Sequence, residues 1–271
     1  MRVAFYGERG AYSEQAAYEL FGASAHLIPC RFLTDVFSTA SGKADYGVVP
    51  IENSIEGAVT QTYDLLLNSK LQITAEHVLR ISHCLIAAPG TDRSSIKRIY
   101  SHPQALAQCR EYIEKLGADP VPFYDTAGSV KMLSSEKPAD AAAIASERAA
   151  KLYGMDVLAK GIETDKHNYT RFFAVSSRAA KAGNKTSIVF TVKDAPASLF
   201  HALNCFAQNG VNLDYIQSRP VLGKPWRYNF YIDCEGESAK GNLKEAIARL
   251  KEETAYVKVL GTYMKARHGV V

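Results

Sequence analysis

The stretch KRIYSHPQALAQCREYIEKLG, residues 97–117, changes its hydrophobic period in the middle, and that change decides the fold. Residues 97–102 read as a strand. Pro103 suits a first helical turn, where its missing N–H costs nothing; Leu106, Cys109, Ile113 and Leu116 then share one helical face, and Gly117 can end the helix. A strand, a short polar step and an amphipathic helix form the repeating unit of an α/β fold with a largely parallel sheet. The same step recurs in GERGAYS (7–13), PIENSIEG (50–57) and DTAGS (125–129). The strands leading into the steps are RVAFYG, YGVVPI and VPFY, with further runs at HVLRISHCLIAA (77–88) and AAAIAS (141–146). Helices are expected at SEQAAYELF, GAVTQTYDLLLNS and GSVKMLSS, with another after residue 146.

Beyond residue 176 the pattern changes. SSRAAKAGNKT (176–186) is small, polar and basic, without an apolar period, and reads as a linker. SIVFTVK then alternates as a strand, and Pro196 opens a helix whose Leu199, Leu203 and Phe206 share a face and which Asn209-Gly210 ends. Two strands, VNLDYIQS and WRYNFYIDCEG, a helix over 243–250 and a last strand, AYVKVLGTY, complete βαββαβ, a ferredoxin-like plait.

With 271 residues the chain is long enough for two or three compact units. The 32 Lys and Arg against 28 Asp and Glu give a net charge of +4 without a basic block, which argues against nucleic acid and mildly favours a small acidic ligand. The cysteines at 30, 84, 109, 205 and 234 form no CxxC pair and no metal-ligand rhythm with the histidines, so reduced thiols and no metal are expected. A strand pattern starting at the N-terminus and the lack of an 18-residue apolar run predict no signal peptide, no membrane span and a cytoplasmic protein.

Each strand-to-helix step turns backbone N–H groups and the positive end of a helix dipole toward the carboxyl end of the sheet, where α/β folds bind ligands. An anionic ligand suits such a place. Glu52, Asn53, Ser54 and Glu56 crowd polar groups against a buried-looking strand, where desolvation costs free energy unless partners or a ligand satisfy them. Ser101 and Thr126 fit plain N-caps as readily as ligand contacts, Gln104 fits a solvated helix position, and Gly7 and Gly10 fit a tight turn. HExxH and GxSxG are absent, and His102 and His167 read better as surface or supporting groups than as acids. In NYTRFFAV (168–175), Thr170 and Arg171 are expected to close a loop before a buried strand; already inside a strand, they would face opposite ways.

Taken in order, GERGAYSE, VPIENSIEGAVTQTYDLL, SHPQALAQC, YDTAGSVK, AAIAS and NYTRFFAV resemble the motif set of prephenate dehydratase, and the second unit resembles the ACT regulatory domain at the C-terminus of monofunctional members. The resemblance implies a two-lobed, periplasmic-binding-protein-like catalytic domain over residues 1–178. One lobe would hold about 1–77 with 165–178 and the other 78–164, followed by a linker at 179–186 and the ACT domain at 187–271. It also implies a homodimer or homotetramer, no cofactor, and conversion of prephenate to phenylpyruvate, water and carbon dioxide in phenylalanine biosynthesis. Thr170 would face the leaving hydroxyl, and Asn53, Ser101, Gln104, Arg171, Glu52, Ser54 and Thr126 would contact substrate. L-Phenylalanine would bind the ACT domain at Pro196, Ala197, Ser198, Leu199, Asn212, Gln217, Ser218 and Arg219. The family's PGAL and IESRP stand here as PASL and IQSRP, with Ala197 for a glycine and Gln217 for a glutamate, which leaves a purely structural, dimer-forming ACT unit open. Arogenate dehydratase, with the same motifs, and a non-enzymatic metabolite sensor are the competing readings.

Overall fold

The computed structural model describes residues 1–266, so the last five residues of the expected ACT span lie outside the described residues. The chain divides into two compact units, one of Met1–Val36, Val48–Gly57 and Val78–Phe172, the other of Phe37–Gly47, Ala58–His77 and the described residues from Phe173 onward. The chain begins with β1 (Arg2–Tyr6), α1 (Tyr12–Phe21), β2 (His26–Cys30), α2 (Leu33–Ala40), β3 (Tyr46–Asn53), β4 (Gly57–Ala58), α3 (Thr60–Asn68) and β5 (Gln72–Arg80). Then come β6 (Cys84–Ala87), β7 (Arg98–Ser101), α4 (Pro103–Gln108), α5 (Arg110–Leu116), β8 (Asp119–Pro122), α6 (Thr126–Glu136), β9 (Ala141–Ala145), α7 (Glu147–Tyr153), β10 (Asp156–Lys160) and β11 (Tyr169–Ser176).

These strands build a sheet of order β2-β1-β3-β11-β5, with β4 beside β3, and a second of order β10-β6-β9-β7-β8. In the second sheet β7 is parallel to β8 and β9, while β6 is antiparallel to both β9 and β10. The largely parallel sheet is therefore interrupted at β6, the strand that no α-helix leads into or out of. A crossover helix is what obliges two neighbouring strands to run the same way. Ala141–Ala145 are all buried, and their small side chains let Val130 and Leu133 of α6 and Ala149 and Ala150 of α7 close onto β9.

Four departures from the sequence pattern bear on function. β3 continues through Glu52 to Asn53, β11 begins at Tyr169, the helix after Pro103 breaks at Cys109, and the apolar run 77–88 divides around Ile81, Ser82 and His83. Thr170 and Arg171 thus lie within the strand and not in a loop ahead of it.

In the second unit, β12 (Lys185–Val192), α8 (Ser198–Ala207), β13 (Leu213–Pro220), β14 (Tyr228–Glu235), α9 (Gly241–Glu253) and β15 (Thr254–Tyr263) form the βαββαβ plait, with sheet order β13-β14-β12-β15. Every pairing is antiparallel. Ile188, Phe190, Phe206, Ile232, Leu243 and Leu250 fill its core. β12 takes Lys185 and Thr186 from the expected linker, and α8 starts at Ser198, two residues after Pro196, because Ala197 turns the chain with a left-handed φ of 62°. No helix among the described residues is long and apolar enough to cross a membrane.

The same unit holds α3 against the plait. Tyr63 Oη donates to Tyr215 Oη at 2.7 Å, Arg219 pairs with Asp64 at 2.8 Å, and Lys258 Nζ donates to the carbonyls of Leu66, Leu67 and Ser69 at the end of α3. A cation on the last carbonyls of a helix answers groups that have no partner within it. Deeper in, Lys185 is 4 % exposed, 3.0 Å from Glu76 and 3.8 Å from both Asp214 and Asp233. Removing the cation that three carboxylates share is expected to cost about 3–5 kcal/mol. Urea denaturation of Lys185→Met should show that loss; a change within experimental error would mean that the cluster is not a structural anchor.

Candidate active site

The end of β3 and the start of β11 meet through side chains. Asn53 is buried, and its Oδ1 accepts the backbone N–H groups of Ile55 and Glu56, each at 3.0 Å. A backbone N–H cannot act as an acceptor, so the amide has one allowed orientation, and Nδ2 must donate. It reaches Asn168 Oδ1 at 2.8 Å, Thr170 Oγ1 at 3.0 Å and the Tyr169 carbonyl at 3.1 Å. Because Thr170 Oγ1 accepts a hydrogen bond from Asn53, the threonine O–H is left to donate elsewhere. Thr170 is half-buried, which leaves it accessible from one side.

The string continues behind Asn53. Asn168, fully buried, donates through Nδ2 to Gln108 Oε1 at 2.9 Å, and His83 Nε2 lies 2.9 Å from the same oxygen. His83 Nδ1 lies 2.9 Å from Tyr12 Oη, which also donates to the Ser82 carbonyl at 2.8 Å. Burial pushes the His83 imidazolium down from its ordinary value, against the pull of Gln108 and Glu163, and favours the neutral ring. The hydroxyl of Tyr12 is pushed up chiefly by its burial, and then by the negative charge of neighbouring groups.

Of the residues singled out in the sequence, Asn53 and Thr170 are brought together, and Glu52 joins Arg171 in an ion pair of 3.2 Å. The Arg171 guanidinium, expected to hold a substrate carboxylate, is thus partly committed to Glu52. Ser54 splices two loops: its Oγ donates to the His167 carbonyl at 2.8 Å and accepts from Tyr169 N–H at 2.9 Å. Ser101 is fully buried and donates to the Ile144 carbonyl at 2.5 Å. Neither Ser101 nor Thr126 is the N-cap of its helix; His102 caps α4 and Asp125 caps α6. Asp125 is buried enough that desolvation raises its carboxyl, although the Gly128 N–H pulls the other way. Gln104 lies one turn before Gln108, and it is Gln108 whose side chain enters the string.

Asn168, Gln108, His83 and Tyr12 were not anticipated from the sequence. The available signal was polarity in apolar settings: His83 interrupts the run 77–88, and Asn168 heads NYTRFFAV. Among the described residues no three His, Cys, Asp or Glu side chains gather to hold a metal.

In the ACT unit, Pro196 and Ala197 are exposed, Ser198 and Leu199 open α8, and Leu199 also packs on the core. The Asn212 amide reaches Asp214 at 3.3 Å, Gln217 donates to the Ser218 carbonyl at 2.8 Å, and Arg219 holds Asp64.

A model of the prephenate dehydratase family matches residues 3–180. The chain belongs to the prephenate dehydratase family. The bifunctional chorismate mutase/prephenate dehydratase of Aquifex aeolicus (strain VF5) is 41 % identical over 271 residues, covering 98 % of this chain and 74 % of that protein. Arogenate dehydratase/prephenate dehydratase 2, chloroplastic, of Arabidopsis thaliana is 40 % identical over 277 residues, 97 % of this chain and 72 % of that one. Among solved structures, prephenate dehydratase from Arthrobacter aurescens in complex with L-Phe superposes with a TM-score of 0.89 at 35 % identity, covering 98 % of this chain and 90 % of that one. A structure described as GqqA, a novel type of quorum quenching acylase, gives a TM-score of 0.91 at 32 % identity, covering 99 % of both chains. Membership makes the enzyme a prephenate dehydratase, a hydro-lyase, with α/β catalytic sheets and an ACT domain.

The buried, neutral His83 has a consequence for stability. At pH values above the ordinary histidine range the ring is neutral folded and unfolded and contributes nothing. As pH falls through about 6.5, the unfolded chain binds a proton that the folded one resists, so stability drops. Denaturation between pH 7 and pH 5 should therefore show the wild type losing stability faster than His83→Gln; parallel pH curves would place the charge elsewhere.

Proposed function

We propose that Thr170 is the catalytic group of the dehydratase and that Asn53 aims it. In the reaction the bond from the ring to its carboxylate breaks and carbon dioxide leaves. The electron pair moves through the cyclohexadiene, the C4–O bond breaks, and the departing hydroxide takes up one proton to become water. Departure of hydroxide is the difficult step. Thr170 O–H donates a hydrogen bond to that oxygen as negative charge grows on it, and Asn53 Nδ2, 3.0 Å from Thr170 Oγ1, polarises the hydroxyl for that bond, while the proton that turns hydroxide into water comes from solvent. The observation that carries this reading is the forced orientation of Asn53, which fixes the direction of the Thr170 proton. Asn53 touches Thr170 directly, and Arg171, the next residue on the strand, is paired with Glu52, which keeps a cation near Thr170 where a substrate carboxylate would favour it. Ser101 ties β7 to β9, Ser54 joins the turn after β3 to the start of β11, and Gln104 sits one helical turn from Gln108.

Prephenate is the substrate we favour, with arogenate the competing one, because the name of the Arabidopsis relative carries both. The acylase description belongs to GqqA. The cysteines here are poor nucleophiles for such a reaction: all five are buried, and burial pushes the Cys84 and Cys109 thiols up, away from thiolate.

We further propose that residues 187–271 act as the ACT domain of a cytoplasmic homo-oligomer and bind L-phenylalanine as feedback effector, by analogy with the Arthrobacter aurescens complex. The backbone turn at Ala197 and the start of α8 at Ser198 would receive the amino acid, with Leu199, Asn212, Gln217 and Ser218 beside it. Arg219, through Asp64, ties that strand to α3.

Phenylpyruvate formation from prephenate, followed by absorbance, and phenylalanine formation from arogenate, followed by chromatography, test the reaction, and a higher kcat/KM on arogenate would reverse the substrate assignment. Thr170→Ala should lower kcat by about 100-fold or more with KM changed by less than about threefold, as for a contact made in the transition state. Unchanged kcat would overturn the role of Thr170. Thermal denaturation with each of the twenty amino acids should show L-phenylalanine raising Tm; no shift with any of them would remove the effector.

A further inference from the structure

We propose that His83, with Tyr12 behind it, is a positioning residue of the dehydratase: it fixes the direction of a one-way string of hydrogen bonds that ends on Thr170. The proposal rests on the reading of Thr170 as the catalytic group. Its starting point is two backbone groups. Ile55 and Glu56 N–H oblige Asn53 Oδ1 to accept, so Asn53 Nδ2 donates to Asn168 Oδ1. Asn168 Oδ1 being the acceptor, its Nδ2 is the donor to Gln108 Oε1. Gln108 Oε1 then meets His83 Nε2 at 2.9 Å, and since an amide oxygen has no proton to give, His83 must carry its proton on Nε2. In the neutral ring Nδ1 is left as an acceptor of the Tyr12 hydroxyl at 2.9 Å, whose single proton it shares in a bifurcated bond with the Ser82 carbonyl at 2.8 Å.

The tautomer of one histidine is therefore linked to the amide orientation of three other side chains. Without a donor at Nε2, Gln108 Oε1 loses one of its two partners, and the Gln108 amide can turn its NH₂ toward Asn168. Two amide NH₂ groups would then face each other, and Asn168 could accept from Gln108 only by releasing Asn53. Asn53 in turn is what directs the Thr170 proton outward.

The ring of His83 is held to make this choice. Its backbone N–H donates to Glu163 Oε2 at 2.8 Å, and its carbonyl accepts from Ile162 N–H at 3.1 Å. Glu163 is 1 % exposed, an expensive place for a carboxylate, and its contact with the His83 backbone gives it a reason to be there. The packing of Tyr12 edge-on to the ring, with centroids 5.5 Å apart, fixes the imidazole plane. The loop GERGAYS thus supplies, through Tyr12, the far end of the string, although no residue of that loop touches Thr170 in it.

The test uses two amides of different reach. In His83→Gln the side-chain NH₂ falls near the place of Nε2 and can donate to Gln108; in His83→Asn it falls near Nδ1 and cannot. We expect His83→Asn to lower kcat on prephenate by about tenfold or more with little change in KM, and His83→Gln to recover most of that loss. In a Gln108→Ala background the step from His83 to Asn should cost little further, because the residue through which it acts is gone. Nitrogen-15 NMR of the wild type should find a neutral His83 protonated on Nε2. A proton on Nδ1, equal kcat for the Asn and Gln variants, or the full loss persisting in the Gln108→Ala background would each overturn the positioning role. Wild-type turnover is the control that separates the two claims: no phenylpyruvate from the wild type overturns the reading of the site itself, whereas normal wild-type turnover with any of the former outcomes overturns only the role of His83.

Discussion

The candidate site depends on one amide. Asn53 is fixed by two backbone N–H groups that approach its oxygen from the turn following β3, and everything it touches inherits its direction. A buried amide has four hydrogen-bonding capacities and two orientations, and only one orientation satisfies groups that cannot adapt. From that constraint follow the donor to Thr170, the roles of both ends of Asn168, and the proton on His83. The string from Thr170 through Asn53, Asn168 and Gln108 to His83 consists of hydroxyl, amide and imidazole groups. The ion pair of Arg171 with Glu52 lies beside the string and not within it.

Buried charge is used elsewhere. Lys185, Glu76, Asp214 and Asp233 form a compact cluster at the start of β12, and the hydroxyl of Ser187 joins Asp233 at 2.5 Å and Tyr263 at 2.7 Å. Such clusters contribute little net stability relative to apolar packing but penalise other pairings heavily, because a displaced charge would be left desolvated. Here that penalty fixes which residues of β5, β12 and β14 come together. Arg219 and Tyr215 lie on β13 and both reach α3, so the strand carrying IQSRP is anchored at the helix that follows the Asn53 turn in the chain.

The sequence pattern was most legible where burial is one-sided. The helix after Pro103 showed its apolar face, its proline start and its αL glycine at Gly117, although not its break at Cys109, and the plait showed its alternation and is as read. It was least legible where a short element lacks a period. His26–Cys30 carries a proline and is scarcely buried, and Asp156–Lys160 is an edge strand, so neither declares itself. The run 77–88 misled for the opposite reason: two strands that are each apolar, joined by three residues, look like one. That join contains His83, which is how the far end of the string escaped notice. Gln104 drew attention and Gln108 did not, although both sit on the same side of α4, because helical spacing alone does not say which turn faces the interior.

Taken by itself, the sequence determined the α/β units, the βαββαβ plait and the family, since periodicity and ordered motifs are properties of the chain read in line. It also placed Thr170 and Asn53 among the residues of interest. Only the tertiary structure decided that these two touch, that Thr170 lies inside β11, and that Asn168, Gln108 and His83 stand behind them. The physical reason is that hydrogen-bond direction depends on which atoms meet across more than a hundred residues of chain, as Asn53 and Asn168 do. No local pattern records that meeting; it is fixed when β3 and β11 become neighbours in one sheet.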